Sequence, residues 1–297
     1  SVDQSVLNRM RKLIQSIDVD ALTMNIESLA ECMFTHKWIN PFPKFKYSER
    51  PDTATAAILD GNIVIMVDNS PAVMIIPASI FDIIEEADDF NFSPMIGSYL
   101  RITRFFFSIV TWILTPLWLL FVNNPDWVPE FMKFVLITDD ITVPVLLQLI
   151  ILELAVDGLK LAAVNTPTML STPLSIVAGI VVGEYAVSSG WFNPEALLYM
   201  AVVTVGTYGQ TNFEMGYAFK FLRVLTLILT QVFNLGGFIA GVVISVLMIA
   251  FNRTITGKSY IYPLIPWDGK MLKRKVFRVR PVSYTHLRAH ETEADLV

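Results

Sequence analysis

Over residues 5–16 and 20–36 apolar side chains recur at helical spacing, with Leu22, Ile26, Leu29 and Met33 on one face. Asp18 or Asp20 is placed to cap the second of these helices. Asn40-Pro41-Phe42-Pro43 ends it, because proline fixes its own φ and pushes the residue before it towards extended geometry. A third helix is predicted from Pro51 to Leu59, with Gly61 just past its end. The pattern then turns to short β-rich runs, Ile63–Val67 and Val73–Pro77, joined by Asp68-Asn69-Ser70-Pro71, and this reads as a hairpin. Ser79 is placed to cap a short acidic helix, Ile80 to Ala87. Residues 1–98 therefore read as a small α+β soluble domain.

Beyond residue 101 the apolar runs are too long for a soluble core. Residues 102–122 are long enough to cross a bilayer, which takes about 20 residues. Arg101 and Arg104 stand at the start, and Trp112, Trp118 and Trp127 supply interfacial aromatics, so the positive-inside rule places the soluble domain in the cytoplasm. Residues 123–142 carry Asp126, Glu130, Asp139 and Asp140 against Lys133, as an outside loop does. Residues 143–164 are apolar but hold Glu153, Asp157 and Lys160 on one helical face. Such a segment either crosses with that face towards a polar interior, or lies in the interface as an amphipathic helix with its charges towards water. Residues 174–191 and 196–210 are spans of marginal length, and 219–251 is a long apolar stretch followed by eight basic residues against one acid between Arg253 and Arg280.

With both flanks cytoplasmic the number of crossings is even. Four crossings result if 143–164 is interfacial, and this is the preferred arrangement; if it crosses, the last stretch must fold back near Asn234-Leu235-Gly236-Gly237. The expected organisation is a cytoplasmic α+β domain over 1–98, truncated at its N-terminus, and a polytopic α-helical membrane domain over 99–252. A basic cytoplasmic tail follows over 253–281.

Composition agrees. Of 297 residues 54% are hydrophobic and 16% charged, where a soluble chain carries about 25% charged. The net charge of −5 argues against nucleic acid as a partner. Residues 1–98 alone hold 14 acidic against 7 basic residues. A single cysteine, Cys32, excludes an internal disulfide and a cysteine metal cluster. The chain starts Ser-Val-Asp-Gln with no signal peptide and reads as a fragment of a longer protein. Residues 282–297 resemble a translated sequencing adapter and read as a non-native tail, so His286 and His290, four apart, are not taken as metal ligands. Neither a phosphate loop nor zinc spacing nor a nucleophile elbow occurs, which argues against an enzyme and against a cofactor. The acids Asp82, Glu85, Glu86, Asp88 and Asp89 form a cluster able to bind a cation or a basic partner, and the preferred reading is a solvated helix face.

Three intramembrane features are candidates for an ion pathway. Glu184 is the sole ionisable residue in its span; such residues usually face a cavity or a partner, and the alternative is a glutamate near a helix end that snorkels to water. Gly179 and Gly183 form a Gly-x-x-x-Gly face suited to close helix packing, within one subunit or between subunits. Arg223, Thr226, Thr230 and Asn234 form a polar stripe continued by the small residues Gly237, Gly241 and Ser245. Around a symmetry axis that stripe would line a pore; in a single subunit it would be hydrogen-bonded helix packing.

Several motifs occur in an order that resembles the A-subunit family of bacterial spore germinant receptors. They are Asn40-Pro41-Phe42-Pro43, Tyr47-Ser48-Glu49-Arg50-Pro51-Asp52, Leu59-Asp60-Gly61-Asn62 and Val67-Asp68-Asn69-Ser70-Pro71, then Thr172-Pro173-Leu174-Ser175-Ile176-Val177-Ala178-Gly179, Gly183-Glu184-Tyr185-Ala186-Val187 and Phe213-Glu214-Met215-Gly216-Tyr217-Ala218. Asn165-Thr166-Pro167-Thr168 and Gly257-Lys258-Ser259-Tyr260 are most similar to its stage V sporulation branch. The resemblance covers about residues 15–280. It implies an integral protein of the spore inner membrane acting in germination, assembled as a ring-shaped homo-oligomer such as a pentamer. It further implies conduction of monovalent cations, and contact with membrane lipid and with other germination membrane proteins. No catalytic residue is implied. The leading expectation is an oligomeric cation channel or channel subunit with Glu184 at its pore. The alternatives are a non-conducting scaffold and a proton-coupled transporter using Glu184 or Glu153.

Overall fold

The computed structural model describes residues 4–19, 23–34, 40–140, 142–165, 176, 179–210 and 212–278. Asp20, Leu22, His36, most of the 165–168 and 172–179 motifs and the 282–297 stretch lie outside them. The chain divides into two compact units: Ser1–Phe105 with Thr211–Met215 and Leu247–Val297, and Phe106–Gln210 with Gly216–Val246.

In the first unit, helices α1 (Gln4–Gln15) and α2 (Ile26–Met33) precede strand β1 (Lys46–Ser48), helix α3 (Pro51–Leu59), strands β2 (Ile63–Met66) and β3 (Val73–Ile76), and helix α4 (Ile80–Ile84). Proline at the first position of α3 is favourable because its missing N–H would find no helical partner there. The predicted hairpin is present, with Ile63 opposite Ile76, and its turn carries Asn69 at φ 59. The strand β1, not foreseen, completes an antiparallel sheet in the order β1-β3-β2. Ser79 and Asp82 form a reciprocal capping box at the start of α4, each side chain bonded to the other's backbone N–H.

Residues 247–278 are part of this unit and not a detached tail. Ile255 joins Met10, Leu29, Met33, Phe45, Met74 and Ile76 in the core, the Ile80 N–H donates to the Tyr260 carbonyl at 2.9 Å, and Arg9 donates to the Thr256 carbonyl at 3.1 Å. The last described helix, to be called α10 (Gly269–Val276), begins at Asp268, whose carboxylate accepts from the N–H groups of Lys270 and Met271.

The second unit is apolar and helical. It takes in the greater part of α5 (Pro94–Asn123), then α6 (Val145–Asn165), a π-helical turn Val181–Tyr185 continued by α7 (Ala186–Ser188), α8 (Pro194–Tyr208) and most of α9 (Phe213–Ala250). Two of these helices, α5 and α9, are long and apolar enough to cross a membrane. Trp118, Leu119, Leu149, Leu152, Ala196, Met200 and Leu227 form the core. The Trp118 indole donates to the Val135 carbonyl at 2.8 Å and its ring lies 4.8 Å from that of Tyr199. Gln148 clasps Asn193, donating to its side-chain oxygen at 2.7 Å and accepting its backbone N–H at 2.9 Å.

The preferred single span over 219–251 is corrected here, because α9 is two helices joined at Asn234, whose φ of 51° and ψ of −129° interrupt the helical path. A Cβ built on Gly237 would run into the Leu229 carbonyl, and one built on Gly241 would lie 2.9 Å from the Thr226 Cα. Residues eight and fifteen apart touch in this way only if the chain folds back on itself. Asn tolerates positive φ better than other non-glycine residues, and glycine at 237 lets the two backbones close. The limbs, 213–233 and 235–250, are about 32 and 24 Å long at 1.5 Å per residue.

Candidate functional site

Each unit contains its own buried ionic cluster. In the apolar unit, α6 contributes Glu153 and Asp157 and the first limb of α9 contributes Lys220 and Arg223. Glu153 and Arg223 are each 3% exposed. Arg223 donates from Nε to Glu153 at 2.5 Å, and its Nη1 donates to the Thr111 carbonyl on α5. The Lys220 ammonium pairs with Asp157 and stands 3.4 Å from Glu153. Two acids thus meet two bases, with the Glu153–Arg223 pair buried and Asp157 and Lys220 at the partly exposed edge. Lys160 lies over the rings of Tyr208 and Tyr217, 5.1 and 5.7 Å from their centroids.

The charged face of 143–164 is therefore turned into the protein rather than towards water, which corrects the reading of its charges as solvated. The reason is complementary charge on α9: a buried carboxylate with no partner is far costlier than one held by a guanidinium. Glu153 follows directly from the stripe seen in sequence. Lys220 was missed as its partner, because the pairing spans 67 residues and has no local signal.

The polar stripe of α9 is also internal. Thr226 and Thr230 are buried, and their hydroxyls donate to the Leu222 and Thr226 carbonyls one turn back, each at 2.7 Å. Across the hairpin Gly241 lies against Thr226 and Gly237 against Leu229 and Thr230, while the buried Ser245 donates to the Gly241 carbonyl on its own limb. Within this chain the stripe packs one limb of the hairpin on the other across the fold-back at Asn234. Asn234 itself is exposed and exchanges side-chain hydrogen bonds of 2.6 and 2.9 Å with Asn124, so the hairpin tip reaches the end of α5.

Glu184 differs from all of these. It lies exposed in the π-helical turn Val181–Tyr185, and a Cβ on Gly179 or Gly183 would meet nothing within 4 Å. The structure thus does not bring Glu184 together with the α9 stripe or with Glu153.

In the first unit the acids read as a solvated face are mostly internal, and that expectation is corrected. Asp89 is 0% exposed and accepts from Arg104 at 2.7 Å and Arg101 at 3.3 Å. Arg101 reaches Glu85 at 2.5 Å and donates to the Arg274 and Lys275 carbonyls, Arg104 reaches Glu86 at 3.1 Å, and Lys275 holds Asp82 at 2.5 Å and Glu85 at 3.2 Å. Lys46 on β1 donates to the Asp82 and Glu85 carbonyls at 2.6 and 2.7 Å, satisfying groups left over at the end of α4. Burial pushes the Asp82 carboxyl up, but the Lys275 ammonium and the Ser79 hydrogen bonds outweigh it and hold it below its ordinary range. Burial opposes the charge on Lys275 too, yet Asp82 and Glu85 raise it above its usual value. At Lys46 burial prevails and the ammonium is depressed. Two acids of the group are at the surface: Asp88, paired with Arg50, and Glu86, whose side chain is 41% exposed.

No cluster of three or more metal-ligating side chains occurs among the described residues. Residues 1–290 match the family described as Bacillus/Clostridium GerA spore germination protein. Stage V sporulation protein AF of Bacillus subtilis (strain 168) is 35% identical over 276 residues, which are 93% of this chain and 56% of that protein. Spore germination protein KA of the same organism is 26% identical over 93% of this chain and 51% of its own length. Spore germination protein XA of Bacillus anthracis is 25% identical, covering 93% and 56%. The chain spans about half the length of the curated relatives it matches. No solved structure matches it.

Proposed function

Because the chain belongs to the GerA family of spore germination proteins, we propose that it is an integral membrane subunit of the germination machinery, assembled as a ring and passing monovalent cations. The reading sets it in the spore inner membrane with its first unit in the cytoplasm, among other germination membrane proteins. Its apolar unit has the character of a bilayer domain. The chain leaves the first unit after Phe105, rejoins it at Thr211–Met215, and returns again at Leu247 after the hairpin. With the first unit and residues 253–280 both read as cytoplasmic, the number of crossings is even. With both limbs of α9 and α6 counted, that number is six rather than four.

One observation carries the ion pathway: Glu184 is an exposed acid on an apolar unit, on a helical turn whose glycine face is open. A carboxylate facing lipid is strongly disfavoured, and a ring of such side chains around a shared axis is a device that favours cations. By contrast Glu153 is locked to Arg223, which makes it a poor proton carrier and weakens the transporter alternative. The test is single-channel recording and potassium efflux from liposomes holding the full-length protein. Discrete cation currents that change selectivity in Glu184→Gln are the expected result. A well-folded oligomer whose currents are indifferent to Glu184→Gln and Glu184→Lys would remove Glu184 from the pathway, and a silent one would favour a scaffold.

A further inference from the structure

Residues 262–278 of the first unit combine three properties. Leu264, Ile265 and Trp267 are 39%, 54% and 71% exposed, so large apolar side chains stand in a row at the surface. The helix α10 follows at once. Its Lys275 points inwards to Asp82 and Glu85, which turns Lys270 and Lys273, one helical turn apart, outwards, where both are exposed, with Phe277 beside them. The segment is also firmly held: Asp268 caps the helix, the Arg278 N–H donates to Ser98 at 3.0 Å, and Arg101 donates to the Arg274 and Lys275 carbonyls. Its apolar exposure is therefore a built surface.

We propose that this segment is a lipid-surface anchor, in which Leu264, Ile265 and Trp267 dip into the interfacial layer and Lys270 and Lys273 engage the headgroups of acidic phospholipids. The proposal rests on the membrane reading given above. Apolar residues with a tryptophan beside outward lysines are the arrangement that the bilayer interface selects. The outward lysines Lys270 and Lys273 beside these apolar side chains make an anionic surface the complementary partner. The choice of lipid over an acidic protein follows from tethering. The segment is fastened to α5 at residues 98–101, and the same helix enters the apolar unit at Phe106, so a bilayer around that unit is present at high effective concentration. Such an anchor would fix how the soluble unit stands on the membrane.

The experiment uses the full chain in nanodiscs, with Cys32→Ser and Leu264→Cys carrying a polarity-sensitive fluorophore and Trp267 left in place. Deep-lying bromolipid quenching of the tryptophans of the apolar unit reports insertion separately. In phosphatidylglycerol discs the probe should shift to the blue and be quenched by shallow bromolipids, far more than in phosphatidylcholine discs. Lys270→Glu and Lys273→Glu should each reduce the docked fraction about fivefold, and high salt should do the same. Trp267→Ser should lower it in both lipids. An inserted chain whose probe stays water-like, or shifts equally in both lipids and in both lysine variants, overturns the anchor while leaving the membrane reading intact. A chain that fails to insert overturns both. Both lysines are exposed, so unchanged thermal unfolding of the variants keeps misfolding out of the result.

Discussion

The two units solve the same electrostatic problem with different materials. In the apolar unit α6 and α9 supply all four charges, and α5 adds a single carbonyl. In the first unit the charges come from β1, α4, the segment after it, the start of α5 and α10, so a network gathers strands of chain nearly two hundred residues apart. A cluster with many members can share its load among them, so that the loss of one leaves the others paired. A cluster of four has fewer substitutes, and a buried member that loses its partner keeps its desolvation cost. The apolar unit should accordingly be brittle at its charges and the first unit tolerant.

The sharpest way to break that contrast is Arg223→Leu, which takes the close guanidinium from buried Glu153 and leaves it the more distant Lys220 at 3.4 Å, and should cost ~3 kcal/mol in thermal unfolding of the detergent-solubilised protein. Combining it with Glu153→Leu should recover most of the loss; a single variant as stable as the parent would end the argument. Arg101→Ala should cost less, ~2–3 kcal/mol, since Arg104 and Lys275 still hold Asp89 and Glu85. Arg101→Lys should restore little, because a lysine cannot span both carboxylates and the two carbonyls. Within the apolar unit, Gly237→Ala should cost ~1–3 kcal/mol by forcing the hairpin limbs apart, whereas Gly179→Ala should be neutral or slightly stabilising. Equal effects at both glycines would dissolve the hairpin.

The smallest effect is one of pH, and it belongs to the first unit alone. Lys44 is buried, donating to Asn252 and to the Arg253 carbonyl at 2.7 Å and lying 5.1 Å from the Tyr260 ring centroid. Burial lowers its ammonium to about 8 from 10.5. Between those values the unfolded chain binds the extra proton, so stability should rise with pH from about 8 towards 10. Above 10 the raised Tyr47 hydroxyl works the other way, since the unfolded phenol ionises first. Denaturant midpoints measured at pH 8 and pH 9.5 should diverge in the parent and lie closer together in Lys44→Met, the remaining difference coming from the depressed Lys46.

Much of the local structure was legible in the sequence. Pro51 and Gly61 bounded α3, Ser79 announced its capping box, the alternation of 63–67 and 73–77 produced the hairpin of strands, and Asn234-Leu235-Gly236-Gly237 marked where α9 could reverse. The site was legible as an inventory: Glu153, Asp157 and Arg223 stood out as charges in apolar runs. Their purpose was not, since the same stripe suits water, a pore or a partner.

What the sequence by itself determined is thus the periodicity of each element, its caps and the total of charge in each region, all of them set by interactions within a few residues. It also placed the chain in its family. Only the tertiary structure decided that 253–278 belongs to the first unit, that the acids from Asp82 to Asp89 are largely internal, and that the α9 stripe faces its own second limb. Those outcomes depend on which distant surfaces exclude water together, and a charge buried at long range leaves no mark on the residues beside it.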